Sequence, residues 1–195
     1  MRLPACLLAA LLSACAQLPT APPPAADPTD FPPLAATTSS LPATATQTLY
    51  AAFGEREAAL SCGLKSGAGT WRAVCVNALG LRVLTMGVDA SGRLTAERGA
   101  GVPEALDPRR VLADVQLCLW PLASLQAAYA GSGWQVEEPI PATRRLRRDG
   151  RLVAEVHYGP GAPWAGQLWL ANFAKSYTLA LITEADVPPR MPPIP

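Results

Sequence analysis

Short apolar runs separated by Gly, Asp and Pro fill the middle of this chain, and their lengths predict β-strands rather than helices. The first set covers Gln47–Phe53, Glu57–Lys65, Trp71–Asn77, Leu81–Val88 and Arg93–Arg98. The pattern then changes. Asp107-Pro108 makes a helix start, with Asp as N-cap and Pro at the first helical position. Val111, Leu112, Val115 and Leu119 follow at helical spacing, and Trp120-Pro121 ends the helix because proline lacks the donor and clashes with the preceding turn. A second short helix carries Leu122, Leu125, Ala128 and Tyr129 to Gly131-Ser132-Gly133. Strands resume at Trp134–Glu138, Thr143–Arg148, Arg151–Tyr158, Gly166–Phe173 and Ser176–Glu184. The fold class expected is mainly β, antiparallel, with a helical insertion.

One hairpin can be registered outright. Asp149-Gly150 suits a two-residue type I′ turn, and counting outward pairs Arg148 with Arg151, Leu146 with Val153 and Arg144 with Glu155. Several strands lack alternation: Leu168–Phe173, Tyr177–Ile182 and Leu81–Val88 are apolar on both faces. An antiparallel sheet usually wets one side. A two-sided apolar sheet calls for cover, which helices, a second sheet or an apolar guest would each supply. If helices leave a groove, Leu119, Trp120 and Leu122 should meet Trp169 or Leu179 across it.

The ends differ from this body. Residues 1–14 combine Arg2 with an apolar stretch and a small-residue close, the anatomy of a secretory signal too short to span a bilayer. Residues 15–46 are rich in Pro, Ala and Thr, which cannot bury enough surface to offset ordering entropy, and read as an extended tether. Residues 47–186 form one domain, about 140 residues and enough for a real core. Residues 187–195 are a Pro-rich tail.

Charge adds little direction. The chain has 16 basic and 15 acidic residues, so no polyanionic partner is implied. The dense cluster is Arg144, Arg145, Arg147, Arg148 and Arg151. It reads either as a solvated edge guarded against aggregation or as a contact for phospholipid head groups or an acidic partner. Chemistry for catalysis is sparse. His157 is the only histidine, no Gly-x-Ser-x-Gly elbow occurs, and Gly67-x-Gly69 lacks a strand–turn–helix setting for phosphate. An enzyme is not expected, nor a metal or a cofactor. Cys62 and Cys75 flank the turn Ser66-Gly67-Ala68-Gly69, where an even loop would set them opposite each other for a disulfide; two small buried thiols fit the same pattern.

Leu12-Ser13-Ala14-Cys15 resembles the lipobox of bacterial lipoproteins. The resemblance implies diacylglycerol on the Cys15 thiol, cleavage before it, and acylation of the new amine by a chain such as palmitate. Several acyl chains on one residue hold a protein firmly, where one would not. Ala16 follows, not the Asp of an inner-membrane retention signal, which implies the periplasmic face of the outer membrane and excludes nucleic acid as a partner. Cys62, Cys75 and Cys118 then lie in a disulfide-permissive space.

From Thr46 to Glu184, the strand order and above all Val115-Gln116-Leu117-Cys118-Leu119-Trp120-Pro121 resemble a family of uncharacterised proteobacterial lipoproteins. That family is named for a domain of unknown function and is associated with aryl-polyene and fatty-acid-synthase-like gene clusters. In outline it is similar to the lipoprotein carrier and receptor LolA and LolB. The resemblance implies an unclosed, half β-barrel whose concave face is covered by short helices and takes acyl chains. The expected role is binding an acyl or lipid-linked ligand and assisting its delivery to the outer membrane, with a periplasmic carrier protein as a possible partner. A structural scaffold with a filled core is the alternative.

Overall fold

The computed structural model describes residues 31–36, 41–99, 102 and 107–185. The expected lipidation site Cys15, the signal segment and the tail 187–195 lie outside them. Ten strands alternate with turns in two meanders: β1 (Thr44–Phe53), β2 (Arg56–Gly67), β3 (Thr70–Val76), β4 (Arg82–Val88) and β5 (Leu94–Arg98), then β6 (Trp134–Ile140), β7 (Thr143–Arg148), β8 (Arg151–Tyr158), β9 (Ala165–Asn172) and β10 (Tyr177–Ala185). Between the meanders lie α1 (Pro108–Leu119) and α2 (Leu122–Tyr129).

All ten strands join one antiparallel sheet in the order β5-β4-β3-β2-β1-β10-β9-β8-β7-β6. The first and last strands, β1 and β10, pair at its centre, so β5 and β6 are left as opposite edges. The sheet does not close. The chain must travel from one edge to the other between β5 and β6, and the helices make that crossing over one face. The mainly antiparallel β fold with a helical insertion is the one read from the strand pattern, and the unclosed sheet is the one that the family resemblance implies.

Local chemistry sets the breaks. Asp107 caps α1 by accepting from the Arg109 amide at 2.8 Å, and Trp120-Pro121 separates α1 from α2. Asp149 and Gly150 both have positive φ, 48° and 78°, which is what a type I′ hairpin turn requires. Alternation along β3 buries Trp71, Ala73 and Cys75 on the concave face. Leu168 and Leu170 of β9 and Tyr177 and Leu181 of β10 line the same face. Against them α1 presents Leu112, Leu117, Leu119 and Trp120, each at most 2% exposed. The Trp120 ring meets Trp71 edge-on with centroids 6.0 Å apart. Cys62 and Cys75 are direct cross-strand partners on the concave face and are disulfide-bonded, their Cα atoms 4.0 Å apart.

Three features depart from expectation. A bulge between Leu146 and Arg147 shifts the β7–β8 register: Leu146 lies opposite Ala154, Arg145 opposite Glu155 and Arg144 opposite Val156. The slip exchanges the faces of β8 relative to β7, so Arg145, not Arg144, pairs with Glu155, and Arg144, on the same face as Leu146, points into the protein without that partner. Secondly, part of the expected tether is packed. Phe31, Ala35 and Leu41 are buried, and β1 starts at Thr44. The amide of Gln116, 1% exposed, acts as a substitute peptide: it donates to the Ala35 carbonyl and accepts from the Ala35 amide, both at 2.8 Å. Trp120 Nε1 donates to the Ala36 carbonyl at 3.0 Å.

The third concerns the two-sided apolar strands. Among the described residues only the concave face is covered. On the outer face Tyr50, Ala180, Trp169 and His157 form one cross-strand row, with Tyr50 and Trp169 about half exposed.

Candidate functional site

The five residues expected to line a groove do not form one. Leu119 and Trp120 are core, because the face of α1 that carries them is pressed onto the sheet around Trp71. Leu122 and Leu179 are half-buried against that core. Trp169 points the other way: its neighbours Leu168 and Leu170 face inward, so alternation puts it on the outer face, 46% exposed. Trp169 therefore belongs to no concave groove.

Open space lies instead on the flank of α1. A cleft of about 610 Å³ runs between Arg110, Ala113 and Asp114 of the helix and the tips of the β7–β8 and β9–β10 hairpins. Its volume falls in the range of small-molecule sites. Phe31, Trp134, Leu146, Leu152, Val153 and Phe173 supply apolar wall. Arg148, Arg151 and Lys175 stand with Arg110 around it, facing the two carboxylates Asp114 and Asp149. A second cleft of about 500 Å³ is shallower and sits at the α2–β6 turn, bounded by Gln126, Tyr129, Trp134 and Val136.

A polar chain crosses the floor of the first cleft. The Tyr177 hydroxyl donates to Asp114 Oδ2, and Asn172 Nδ2 donates to the Tyr177 oxygen at 3.0 Å. Asn172 Oδ1 in turn accepts from the Lys175 amide at 3.1 Å and fixes the β9–β10 turn. Burial pushes the Asp114 carboxyl up to about 6, against the opposing pull of the Tyr177 hydrogen bond, the Arg110 charge and Asn172. Burial and the neighbouring Asp114 carboxylate also raise the Tyr177 hydroxyl. No pattern in the sequence flagged Asp114, Asn172 or Tyr177. The available signal was Arg110 and Asp114, one turn apart on a helix otherwise read as an apolar stripe.

The arginine cluster divides into two groups. Three members are tied to carboxylates: Arg144 to Glu138 at 2.7 Å, Arg145 to Glu155 at 2.5 Å and Arg147 to Glu137 at 3.0 Å. Arg144 is structural. Its Nη1 donates to the carbonyls of Leu117 and Trp120, at 2.7 and 2.8 Å, and so satisfies the C-terminal end of α1. The Tyr158 hydroxyl adds a bond of 2.9 Å to the Cys118 carbonyl. Arg148 and Arg151, at the hairpin tip, belong to the cleft.

His157 lies on the outer face, its Nε2 2.7 Å from Glu155 Oε1. Cys118 is buried on α1, and burial raises its thiol well above the ordinary range. Among the described residues no three His, Cys, Asp or Glu side chains gather to hold a metal ion, and no helix is long and apolar enough to cross a membrane.

A ten-stranded open antiparallel sheet with two crossing helices and a basic, apolar-walled cleft defines the class of this molecule. The chain belongs to DUF3261, a family of proteins of unknown function, matched over residues 44–185. No curated protein matches it. Among solved structures it is similar to one from Vibrio parahaemolyticus described as an outer membrane lipoprotein-sorting protein domain. The identity is 7%, 74% of this chain and 85% of that one are covered, and the TM-score is 0.35. A DUF1329 family protein from Desulfovibrio piger is similar at 8% identity, with coverage of 76% and 88% and a TM-score of 0.34. Likeness at this level says nothing about ligand or role.

Proposed function

We propose that this protein is a lipoprotein, anchored through Cys15 to the periplasmic face of the outer membrane, that binds an acyl chain or lipid-linked ligand and assists its delivery without a catalytic step. One observation carries the binding part: the cleft beside α1, about 610 Å³ in volume, combines an apolar wall with cations at its rim. An apolar chain gains by leaving water and a polar head group keeps charged partners at the surface. Anchoring is supported by the Leu12-Ser13-Ala14-Cys15 stretch and by Ala16. Phe31 and Pro32 line the cleft and come only sixteen residues or so after Cys15. A fully extended chain of that length spans at most about 58 Å, which keeps the cleft within reach of a lipid surface.

A second reading, a scaffold lipoprotein with no ligand, is favoured by the filled contact between Trp120 and Trp71, where the groove was expected. The two part in one experiment. Protein purified from membranes, with the domain then released from its anchor, is extracted and the extract analysed by mass spectrometry. A stoichiometric acyl compound that does not come from Cys15 supports the carrier. An empty domain that also fails to bind an apolar fluorophore supports the scaffold.

A further inference from the structure

We propose that the cleft beside α1 selects single-chain amphiphiles with an anionic head group, a carboxylate or a phosphate, held between Arg110 on one side and Arg148 and Arg151 on the other. This rests on the acyl-binding reading above and adds the charge of the ligand to it.

The first ground is how this protein disposes of its arginines. Arg144, Arg145 and Arg147 each have a carboxylate within 3.0 Å. The cleft arginines are different. Arg148 has Asp149 no closer than 3.8 Å, and among the described residues neither Arg110 nor Arg151 forms an ion pair. Glu137, Glu138 and Glu155 sit on the same two hairpins and hold their arginines closely, whereas the cleft carboxylates Asp114 and Asp149 form no contact that close with Arg110, Arg148 or Arg151.

The second ground is orientation. The Arg110 guanidinium lies over the Phe31 ring at 5.0 Å from its centroid, and that of Arg148 over Trp134 at 5.3 Å. Both rings line the cleft. A guanidinium stacked on a ring keeps its N–H edge for a planar or tetrahedral oxyanion and has less rotamer freedom left to lose on binding. The apolar wall continues past these cations to Leu152 and Phe173, both substantially exposed although large and hydrophobic. A charged head at the rim with one chain along that wall satisfies both chemistries.

The third ground is the floor. Two carboxylates line this space and would repel an anion: Asp114, which accepts a hydrogen bond from the Tyr177 hydroxyl, and Asp149, which stands 3.8 Å from Arg148. Asn172, Lys175 and Arg110 are the other polar groups on that side.

The test uses the full chain with Cys15→Ser, so that no covalent lipid competes. Lysophosphatidic acid, the monoacylglycerol of the same chain length and inorganic phosphate are titrated at low ionic strength. Lysophosphatidic acid should bind about tenfold or more tightly than the neutral lipid, the scale of one added charge-assisted contact. Arg110→Gln, or Arg148→Gln with Arg151→Gln, should remove most of that preference, and Arg72→Gln on distant β3 should not. Equal binding of both lipids, or a preference untouched by these variants, overturns the head-group selection and leaves acyl binding standing. If neither lipid binds, both readings fall. Phosphate binding as tightly as lysophosphatidic acid makes the cleft an anion site, which also overturns the proposal.

Discussion

The Tyr177 hydroxyl donates a hydrogen bond to Asp114 across the floor of the cleft, joining the start of β10 to the middle of α1. A carboxyl in that position costs more to ionise in the folded protein than in the unfolded chain, and this makes stability depend on pH.

The sign follows from linkage. The Asp114 pKa rises from 3.8 to about 6 on folding, so between these values the native state keeps a proton that the unfolded chain has released. This contribution is fully present below pH 4 and is lost as pH rises through 6. It amounts to at most about 3 kcal/mol, less because Asp114 keeps some surface in the cleft. Urea midpoints taken from pH 4 to pH 7 on the parent and on Asp114→Asn should diverge. The parent loses stability relative to the variant as pH rises. Parallel curves would show that Asp114 ionises normally.

Arg144 should be the cluster member whose loss hurts most. Arg144→Leu leaves the Trp120 carbonyl without its side-chain donor, the Leu117 carbonyl with only the long bond from the Tyr158 hydroxyl, and Glu138 without its cation, at a cost of about 2–4 kcal/mol. Arg147→Gln touches a partly exposed pair with Glu137 and should cost about 1 kcal/mol or less. Denaturant unfolding of the two variants checks the order, and a smaller loss for Arg144→Leu would contradict the helix-end role.

Thiol labelling tests the cysteines. In unreduced protein with Cys15→Ser, lacking the signal segment, label should reach Cys118 alone, and only after unfolding, because its side chain is buried. Replacing both Cys62 and Cys75 with Ala should lower stability by about 2–3 kcal/mol, the loop-closure scale for their separation of 13 residues. Two further labelled thiols without reductant would remove the bridge.

Anchoring has its own test. Cys15→Ser should leave the protein in the soluble periplasmic fraction, where the parent sediments with outer membranes in high salt. Sedimentation of the variant would end the lipoprotein assignment.

Much of the fold was legible because its signals are local. Asp107-Pro108, Trp120-Pro121 and Asp149-Gly150 act within a turn of where they stand, and they bracket both helices and the β7–β8 hairpin. What the sequence hid is of three physical kinds. The bulge at Leu146/Arg147 carries no Gly or Pro to announce it, and one unmarked residue was enough to exchange the roles of Arg144 and Arg145. Trp169 was misplaced because β9 is apolar at successive positions, and alternation without contrast does not tell inside from outside. Phe31 to Ala36 looked like tether because their partner, Gln116, is 81 positions from Ala35, and composition does not report a contact of that range. The cleft is assembled from the same kind of distant pieces: Asp114 and Asn172 line it from two elements, and Tyr177 on a third links them by hydrogen bonds.

Whether the cleft holds a ligand is best tested by blocking it from two sides. Ala174→Trp fills it from the exposed β9–β10 turn and Ala113→Phe fills it from α1, while Trp169→Ala removes the large aromatic side chain of the outer face. Binding of a fluorescent fatty acid is measured for all three, with unfolding midpoints taken alongside. Affinity should drop about tenfold or more in a blocked variant that keeps the parent midpoint, and Trp169→Ala should bind as the parent does. Undiminished binding in both folded blocking variants, with binding lost in Trp169→Ala, would put the ligand on the outer face and contradict the cleft.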